Sequence, residues 1–172
     1  MKLEHNLLGE RILIRNYRKS DFYFMTDMWF DPENGKYMSD PERGYVDEKY
    51  QSILDTLEES DDGYYLIIEL LNTGEPIGSC GIFPVSGDAA YDIGYCIHKS
   101  YWKKGFGSEA VALLLEWLEE HQAKKVMAEV AVKNLASRAL LHKFGFKPEK
   151  PSQFKKYNMD VTFDSIIYAK AL

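Results

Sequence analysis

Apolar and polar residues follow strand and helix periods in turn along the first third of the chain. Residues 11–15 alternate charged and apolar side chains, which predicts a first strand. Apolar residues at helical spacing predict helices over 21–30, with Ser20 as its N-cap, and over 46–57. Between the two helices, residues 31–44 hold two prolines and two glycines, which predicts a loop.

Three further strands are predicted in close succession. The strand-like runs are residues 64–71, 76–83 and 89–97, and turn-forming residues separate them at 72–75 and 86–88. Short connections of this kind join antiparallel neighbours, so these three strands should form a meander.

The pattern then changes to helix, strand and helix. Residues 107–121 carry an apolar stripe at i, i+3, i+4, i+7 and i+8, and residues 126–132 read as a buried strand. A crossover of this length lays that strand parallel to the one ending at Ile97. The sheet is therefore predicted to be mixed.

The last quarter adds one more helix and two strands. Asn134 is placed to cap a helix over 135–144, which Gly145 would stop. Strands are predicted at Phe146 and over 161–169. No linker or repeat interrupts the sequence, so we expect one continuous domain over residues 1–172.

Composition narrows the classes of protein that fit. The 172 residues are 45% apolar and 28% charged, an ordinary globular balance. The net charge of −6 predicts no binding to nucleic acid and none to acidic membranes, so any anion site must be local. Cys80 and Cys96 are too few for a disulfide framework. With neither a signal peptide nor a membrane span in the pattern, we expect a reduced, cytoplasmic protein.

A glycine-containing loop is the strongest candidate for chemistry. Two lysines, Lys103 and Lys104, precede Gly105-Phe106-Gly107-Ser108, and a predicted helix follows directly. Glycines let backbone amides approach a ligand, and a helix N-terminus carries a partial positive charge of about half a unit. This combination predicts a site for a polyphosphate.

The loop alone leaves several interpretations open. A P-loop requires Lys-Ser or Lys-Thr after its last glycine, and Gly107 is followed by Ser108-Glu109 instead. A dinucleotide fingerprint fits only in part, because Ala110 takes its third small position but the preceding strand ends several residues upstream. The segment could also be a plain turn between a strand and a helix.

Two spaced motifs make the whole chain resemble the GCN5-related N-acetyltransferase (GNAT) family. The first is the family's pyrophosphate loop, which residues 102–107 fill with Trp102 in place of the usual leading glutamine or arginine. The second is a helix that starts at asparagine and ends in a glycine–aromatic pair, matched here from Asn134 to Gly145-Phe146. Two motifs in the right context are more specific than one.

Details within these motifs resemble one branch of the family, the enzymes that acetylate N-terminal alanine and serine of ribosomal proteins. The resemblance rests on Trp102, on Ser137 three residues after Asn134, and on Leu141, where much of the family has tyrosine. The branch also includes enzymes for small amines and antibiotics.

The resemblance implies a fold and a cofactor site. The fold is α+β (mixed α/β), with about four helices around a mostly antiparallel sheet of about seven strands, splayed between the fourth and fifth. Acetyl-coenzyme A would be the co-substrate, with its pyrophosphate on Lys103–Ser108 (Lys103, Lys104, Gly105, Phe106, Gly107 and Ser108). Tyr95, Cys96 and Ile97 would bind its pantetheine arm through the backbone, as an added strand binds a sheet edge. The Ile97 amide would stabilise the oxyanion, and Asn134 would contact the arm as well as cap its helix.

The same resemblance implies candidates for proton transfer. Asp92 and Glu129 compete as the general base, because both are carboxylates inside predicted strands. Leu141 cannot donate a proton, so Ser137 or water would protonate the leaving thiolate. The four histidines show no metal-ligand spacing, and we predict no metal.

The acceptor should be an amine, either a peptide N-terminus or a small molecule, and the protein a monomer or homodimer. Its pocket would lie near residues 30–45, which supply Phe30, Tyr37, Met38, Arg43 and Tyr45. Two alternatives stay open: a non-catalytic module of the same fold that senses acetyl-coenzyme A, and a regulator that binds NAD or ATP at the same loop.

Overall fold

The computed structural model describes residues 1–85 and 89–172, and these residues form one eight-stranded mixed sheet with two α-helices on each face. The described strands are β1 (Leu7–Leu8), β2 (Ile12–Asn16), β3 (Tyr64–Leu70), β4 (Pro76–Val85), β5 (Ala90–Ile97), β6 (Lys125–Ala131), β7 (Lys147–Lys155) and β8 (Thr162–Ala171). The described α-helices are α1 (Phe22–Trp29), α2 (Glu48–Asp55), α3 (Phe106–Glu120) and α4 (Leu135–Lys143).

The strands lie in the order β1-β2-β3-β4-β5-β6-β8-β7, and β5 and β6 are the parallel pair. These two strands pair only from Ala90–Lys125 to Asp92–Met127. On their outer sides, β5 stays paired with β4 as far as Ile97, and β6 stays paired with β8 as far as Ala131. The sheet therefore opens beyond Asp92. The two diverging strands are the predicted fourth and fifth, renumbered because β1 was not predicted, so the splayed α+β fold is confirmed. We call the space between the two diverging strands the gap.

Each face of the sheet has its own apolar core. The larger core lies under α3 and α4 and includes Ile93 of β5, Val130 of β6 and Leu141 of α4. The smaller one lies under α1 and α2 and includes Met25 and Leu54. Because side chains alternate along a strand, each strand of the gap presents different residues to the two sides. We call these the α3/α4 face and the α1/α2 face.

Several predicted boundaries differ from those observed. Ser20 is not a helix cap, because it lies inside a short 3₁₀ turn (Lys19–Asp21) and α1 begins after it. Helix α2 is shorter than 46–57 because Asp47 caps it, accepting from the Tyr50 amide at 2.8 Å. Helix α3 begins one residue earlier than predicted, at Phe106.

Two strands were missed or misplaced. β1 has two residues, too few to show a period, and it brings the described count to eight instead of about seven. Phe146 is a buried core residue just before β7, and the strand itself runs on to Lys155. β7 contains Pro148 and Pro151, which an edge strand tolerates because one side needs no hydrogen bonds. The predicted turn at 86–88 lies outside the described residues.

Candidate active site

The glycine loop is shaped by two residues with positive φ. Lys103 has φ of 60° and Gly105 has φ of 86°. Gly105 is the N-cap of α3, with no side chain bonded across the cap. The first helical hydrogen bond runs from the Glu109 amide to the Gly105 carbonyl at 3.2 Å, so the three amides before it have no acceptor in the preceding turn; they belong to Phe106, Gly107 and Ser108. These amides fit an anion such as a pyrophosphate.

Side chains around the loop add positive charge. Lys103 and Lys104 are exposed beside Gly105, and Lys143 at the end of α4 donates to the Ser108 hydroxyl at 3.2 Å. The Phe106 side chain, by contrast, is buried in the larger core, so only its backbone can face a ligand. The loop thus combines hydrogen-bond donors with positive charge, and a diphosphate needs both because its oxygens are acceptors that carry negative charge.

Arg11, just before β2, contacts the glycine loop and the first turn of α3. This residue was not identified from the sequence. Its guanidinium donates to the Lys104 carbonyl at 3.0 Å and to the Glu109 carboxylate at 2.9 Å, and lies 4.7 Å from the centre of the Phe106 ring. The Glu109 carboxylate also accepts from the Ile12 amide. Partial burial acts to raise the pKa of Glu109, but the hydrogen bonds from Arg11 and Ile12 together outweigh it and hold the pKa below its ordinary value. Ninety-odd residues separate Arg11 from this loop, so no local pattern could reveal the contact.

The backbone of β5 faces the gap at alternate residues. His98 donates its amide to the Ile77 carbonyl of β4 at 2.8 Å. Because backbone groups point to opposite sides at successive residues of an antiparallel strand, Cys96 also pairs with β4, while Tyr95 and Ile97 direct their N–H and C=O groups into the gap. Of the three residues predicted for the pantetheine arm, Tyr95 and Ile97 therefore present backbone groups to the gap, whereas the backbone groups of Cys96 face β4.

Two polar side chains converge on the end of β5. Trp102 donates its indole N–H to the Ile97 carbonyl at 2.7 Å. Asn34, a buried residue of the loop after α1, donates to the same carbonyl at 3.2 Å and accepts from the Lys99 amide at 2.6 Å. Sequence reasoning read Asn34 as part of a plain loop. The two contacts fix the point where β5 passes into the glycine loop.

The two candidate bases lie on the α1/α2 face of the gap. Ile93 and Tyr95 pack toward the larger core, so Asp92 points the other way, and the same alternation on β6 puts Glu129 beside it. Burial raises the pKa of Asp92 to about 6, and the negative charge of Glu129 adds to the effect. Glu129 is more exposed and accepts a hydrogen bond from the Ser165 hydroxyl of β8.

Two hydroxyls lie on the opposite, α3/α4 face. The Tyr95 hydroxyl is 2.8 Å from the Ser137 hydroxyl in the first turn of α4. Asn134 caps this helix as predicted, with its side-chain oxygen accepting from the Ser137 amide at 3.2 Å. Leu141, one turn further on, is fully buried. Carboxylates and hydroxyls therefore flank the gap from opposite faces.

The residues predicted to line an acceptor pocket do not form one cluster. Phe30 is buried in the smaller core, and Arg43 lies over its ring, 6.0 Å from the ring centre, while it pairs with Asp27 at the surface. Tyr37 contacts Phe163 of β8 edge to face, with 5.8 Å between ring centres. Tyr37 is thus the predicted aromatic that borders the β8 side of the sheet.

Within residues 1–85 and 89–172, no group of three or more histidine, cysteine or acidic residues could hold a metal ion. Over the same part of the chain, no helix is long and apolar enough to cross a membrane.

Comparisons with known proteins agree with this geometry. Residues 11–147 match a family model described as an acetyltransferase (GNAT) domain. The chain is also 30% identical over 149 residues to an uncharacterized N-acetyltransferase, p20, of Bacillus licheniformis, and the match covers 83% of each sequence.

Solved structures share the fold. One is a ribosomal-protein-S5-alanine acetyltransferase from Vibrio fischeri, with a TM-score of 0.76 and 19% identity over 98% of this chain and 97% of the other. Another is a spermidine N-acetyltransferase from Vibrio cholerae in complex with CoA and spermine, with a TM-score of 0.78 and 15% identity over 95% of this chain and 96% of the other.

Proposed function

Because the chain belongs to the GNAT family of acetyltransferases, we propose that it moves the acetyl group of acetyl-coenzyme A to a primary amine by direct attack of the amine on the thioester. One observation supports the proposal above all. The gap between β5 and β6 has at its end a loop whose free amides and lysines suit an anion, and it has a carboxyl group of raised pKa on one face.

The donor side of the proposal uses the loop and the free backbone of β5. Amides of Phe106, Gly107 and Ser108, with Lys103 and Lys104, would bind the pyrophosphate. The gap-facing groups of Tyr95 would pair with the pantetheine amides, and the Asn134 side chain would contact the same arm. The Ile97 amide would then donate to the oxygen that gains charge during attack.

Asp92 is the base that we assign, with Glu129 as its charged neighbour. The amine must lose a proton as its nitrogen bonds to the carbonyl carbon, and a carboxylate with a pKa of about 6 can take that proton, directly or through a water molecule. Breaking the carbon–sulphur bond leaves its electron pair on sulphur. The sulphur then carries a negative charge, which a hydrogen-bond donor or a proton from water must offset.

The pKa of Asp92 favours one class of acceptor. An α-amino group has a pKa of about 7.7–8.0 and a lysine-like amine about 10.4, so the first is far easier for this base to deprotonate. We therefore propose a peptide or protein N-terminus as the preferred acceptor. The Vibrio fischeri enzyme named for ribosomal protein S5 supports this choice, whereas the spermidine enzyme supports a small polyamine as the second candidate.

A panel of acceptors tests the proposal. The protein is mixed with acetyl-coenzyme A and, in separate reactions, with peptides starting in alanine or serine, the same peptides already blocked at the α-amine, spermidine and an aminoglycoside. Released thiol is followed over time. We expect thiol release with the free peptides, less with spermidine and none with the blocked peptides.

Two results would contradict the proposal. Thermal stabilisation by acetyl-coenzyme A without thiol release for any acceptor would indicate a sensor module instead of an enzyme. Stabilisation by NAD or ATP but not by coenzyme A would indicate a different nucleotide site at the loop.

A further inference from the structure

We propose that Tyr95 is a positioning residue for the leaving group: its hydroxyl and that of Ser137 form a hydrogen-bonded pair that donates a hydrogen bond to the sulphur of coenzyme A and stabilises the thiolate as the carbon–sulphur bond breaks. This inference rests on the proposed function. It assigns to the Tyr95 side chain a role separate from the backbone groups that this residue presents to the gap.

The pair spans the two sides of the gap. Tyr95 belongs to β5 and Ser137 to α4, which follows β6, and their oxygen atoms are 2.8 Å apart. Both residues are part-buried, and the Tyr95 ring packs against the larger core. The pair therefore closes the α3/α4 face of the gap at the level where the backbone of Tyr95 and Ile97 faces inward.

The surrounding structure fixes the orientation of Ser137. Its amide is held by the Asn134 side chain at 3.2 Å, in the first turn of α4. A serine hydroxyl rotates freely about one bond, so its direction depends on its partners. Because the Tyr95 hydroxyl is such a partner, Ser137 can turn its own hydrogen toward the gap while it accepts the hydrogen of Tyr95.

Helix α4 has no hydroxyl one turn after Ser137, because Leu141 occupies that position. Residues 137 and 141 are one helical turn apart and share one side of α4, and long side chains on a helix point back toward its N-terminus. Leu141 is fully buried and carries no donor, so α4 itself offers no phenol at this level. Tyr95 delivers a phenol to Ser137 from β5 instead.

Protonation states are consistent with a donor pair. Burial raises the pKa of Tyr95 to about 12, although its hydrogen bond with Ser137 acts in the opposite direction. Tyr95 therefore keeps its proton at neutral pH. In the transfer step Ser137 would donate its hydrogen bond to sulphur while it accepts that of Tyr95, both hydroxyls would keep their protons, and the released thiolate would take its proton from water.

The ionisation of bound coenzyme A provides a direct test that needs no acceptor. A donor aimed at sulphur favours the thiolate, so it lowers the pKa of the bound thiol. Ultraviolet absorbance of the thiolate is titrated for the complex with coenzyme A, below the ordinary tyrosine pKa of about 10. Burial raises the pKa of the Cys96 thiol to about 12 and also raises that of Cys80, so neither contributes to the signal.

We expect the bound thiol to titrate about one pKa unit below the ordinary cysteine-like value of about 8.5. Tyr95→Phe and Ser137→Ala should each raise the pKa of the bound thiol most of the way back to that value. Ser137→Thr keeps the hydroxyl, so the thiol pKa should stay as low as in the wild type. Tyr91→Phe is the matched control, since Tyr91 lies on the same strand and the same face, also packed against the larger core. It should leave the thiol pKa unchanged.

Turnover with the best acceptor gives a second readout. Tyr95→Phe should lower kcat by about tenfold or more and leave the KM for acetyl-coenzyme A unchanged. A thiol pKa that is the same in the wild type, Tyr95→Phe and Ser137→Ala would overturn the inference. So would a loss of thermal stability and coenzyme A affinity in Tyr95→Phe without any change in that pKa, which would indicate a purely structural contact.

The two proposals fail in different ways. If coenzyme A does not bind at all, the proposed function is contradicted and the inference falls with it. If coenzyme A binds and thiol is released with an acceptor, but the variants do not change the thiol pKa, only the inference is contradicted.

Discussion

A carboxyl group buried beside another carboxyl group is hard to ionise, and Asp92 is in this position next to Glu129. Its pKa of about 6 is well suited to a base that acts near neutral pH. Sequence reasoning could select Asp92 and Glu129 as carboxylates inside strands, but it could not separate them. The difference depends on burial across the gap, which a one-dimensional pattern does not contain.

Asp92→Asn should remove one step from the pH profile of the reaction. With a peptide acceptor, kcat/KM of the wild type should rise through two steps, one near pH 6 from Asp92 and one near the pKa of the acceptor amine. The variant should lose the first step, and its rate should fall by about a hundredfold, the usual effect of removing a general base.

Glu129→Gln is the matched control for this profile. It removes the neighbouring negative charge that helps to raise the pKa of Asp92, so the first step should move to lower pH and persist. If Glu129→Gln abolishes the step and Asp92→Asn leaves it in place, the base has been assigned to the wrong carboxylate.

Asp92→Asn should also make the protein more stable at neutral pH. The folded pKa of about 6 lies above the unfolded value of about 3.9, so the folded state holds more protons between these values and stability falls as pH rises through them. Asparagine does not ionise, so the free energy of unfolding of the variant does not fall in this way as the pH rises. We expect a gain of about 1–2 kcal/mol at pH 7 after allowing for solvent contact, and no gain at a pH below both values. Urea denaturation at the two pH values measures it, and an equal gain at both would contradict the assignment.

At the scale of elements, the glycine loop joins a strand end to a helix start and depends on its backbone shape. Gly105→Ala should raise the KM for acetyl-coenzyme A about tenfold, because φ of 86° costs an alanine about 1–2 kcal/mol and its Cβ would lie 3.2 Å from the Arg11 guanidinium. Initial rates at varied acetyl-coenzyme A measure the effect.

Gly74→Ala is the matched control for that substitution. Gly74 also has positive φ, at 69°, and a Cβ there would meet no atom within 4 Å. It should lose similar stability but keep the KM. An equal rise in KM for both variants would show that general destabilisation, not the shape of the loop, sets the affinity.

Arg11→Gln tests whether the contacts of Arg11 with Lys104 and Glu109 order the glycine loop. The variant loses the ion pair with Glu109 and the bond to the Lys104 carbonyl, so the loop should order less well and the Kd for coenzyme A should rise several-fold while kcat is unchanged. Calorimetric titration with coenzyme A measures the Kd. Lys125→Gln, which breaks a surface ion pair with Glu149, is the control and should leave it unchanged. An unchanged Kd in Arg11→Gln would contradict the role of Arg11.

Elements with a clear period could be predicted from the sequence, and those without one could not. The apolar stripe of α3 and the Asn134 cap of α4 are local signals, and both elements lie where expected. β1 is too short to show a period, and β7 carries prolines that hide its pattern. The contacts of Arg11 and Asn34 join segments distant in sequence, so neither could be found by spacing alone.

At the scale of the whole molecule, the divergence of β5 and β6 separates the two halves of the reaction. Carboxylates occupy the α1/α2 face of the gap and hydroxyls the α3/α4 face, so a proton can leave the amine on one side while a hydrogen bond stabilises the sulphur on the other. The resemblance of two motifs predicted the opening between these strands. It did not predict which side chains would meet across it, because that depends on the register of strands far apart in sequence.

The central claim, direct transfer from acetyl-coenzyme A to an amine, is tested most directly by rapid quenching with and without acceptor. Thiol release and the mass of the intact chain are measured together. We predict thiol only when a free amine is present, one acetylated acceptor for each thiol, and no change in the mass of the chain. A burst of thiol without acceptor, together with an acetylated chain, would contradict direct attack, and no thiol with any amine would contradict the activity itself.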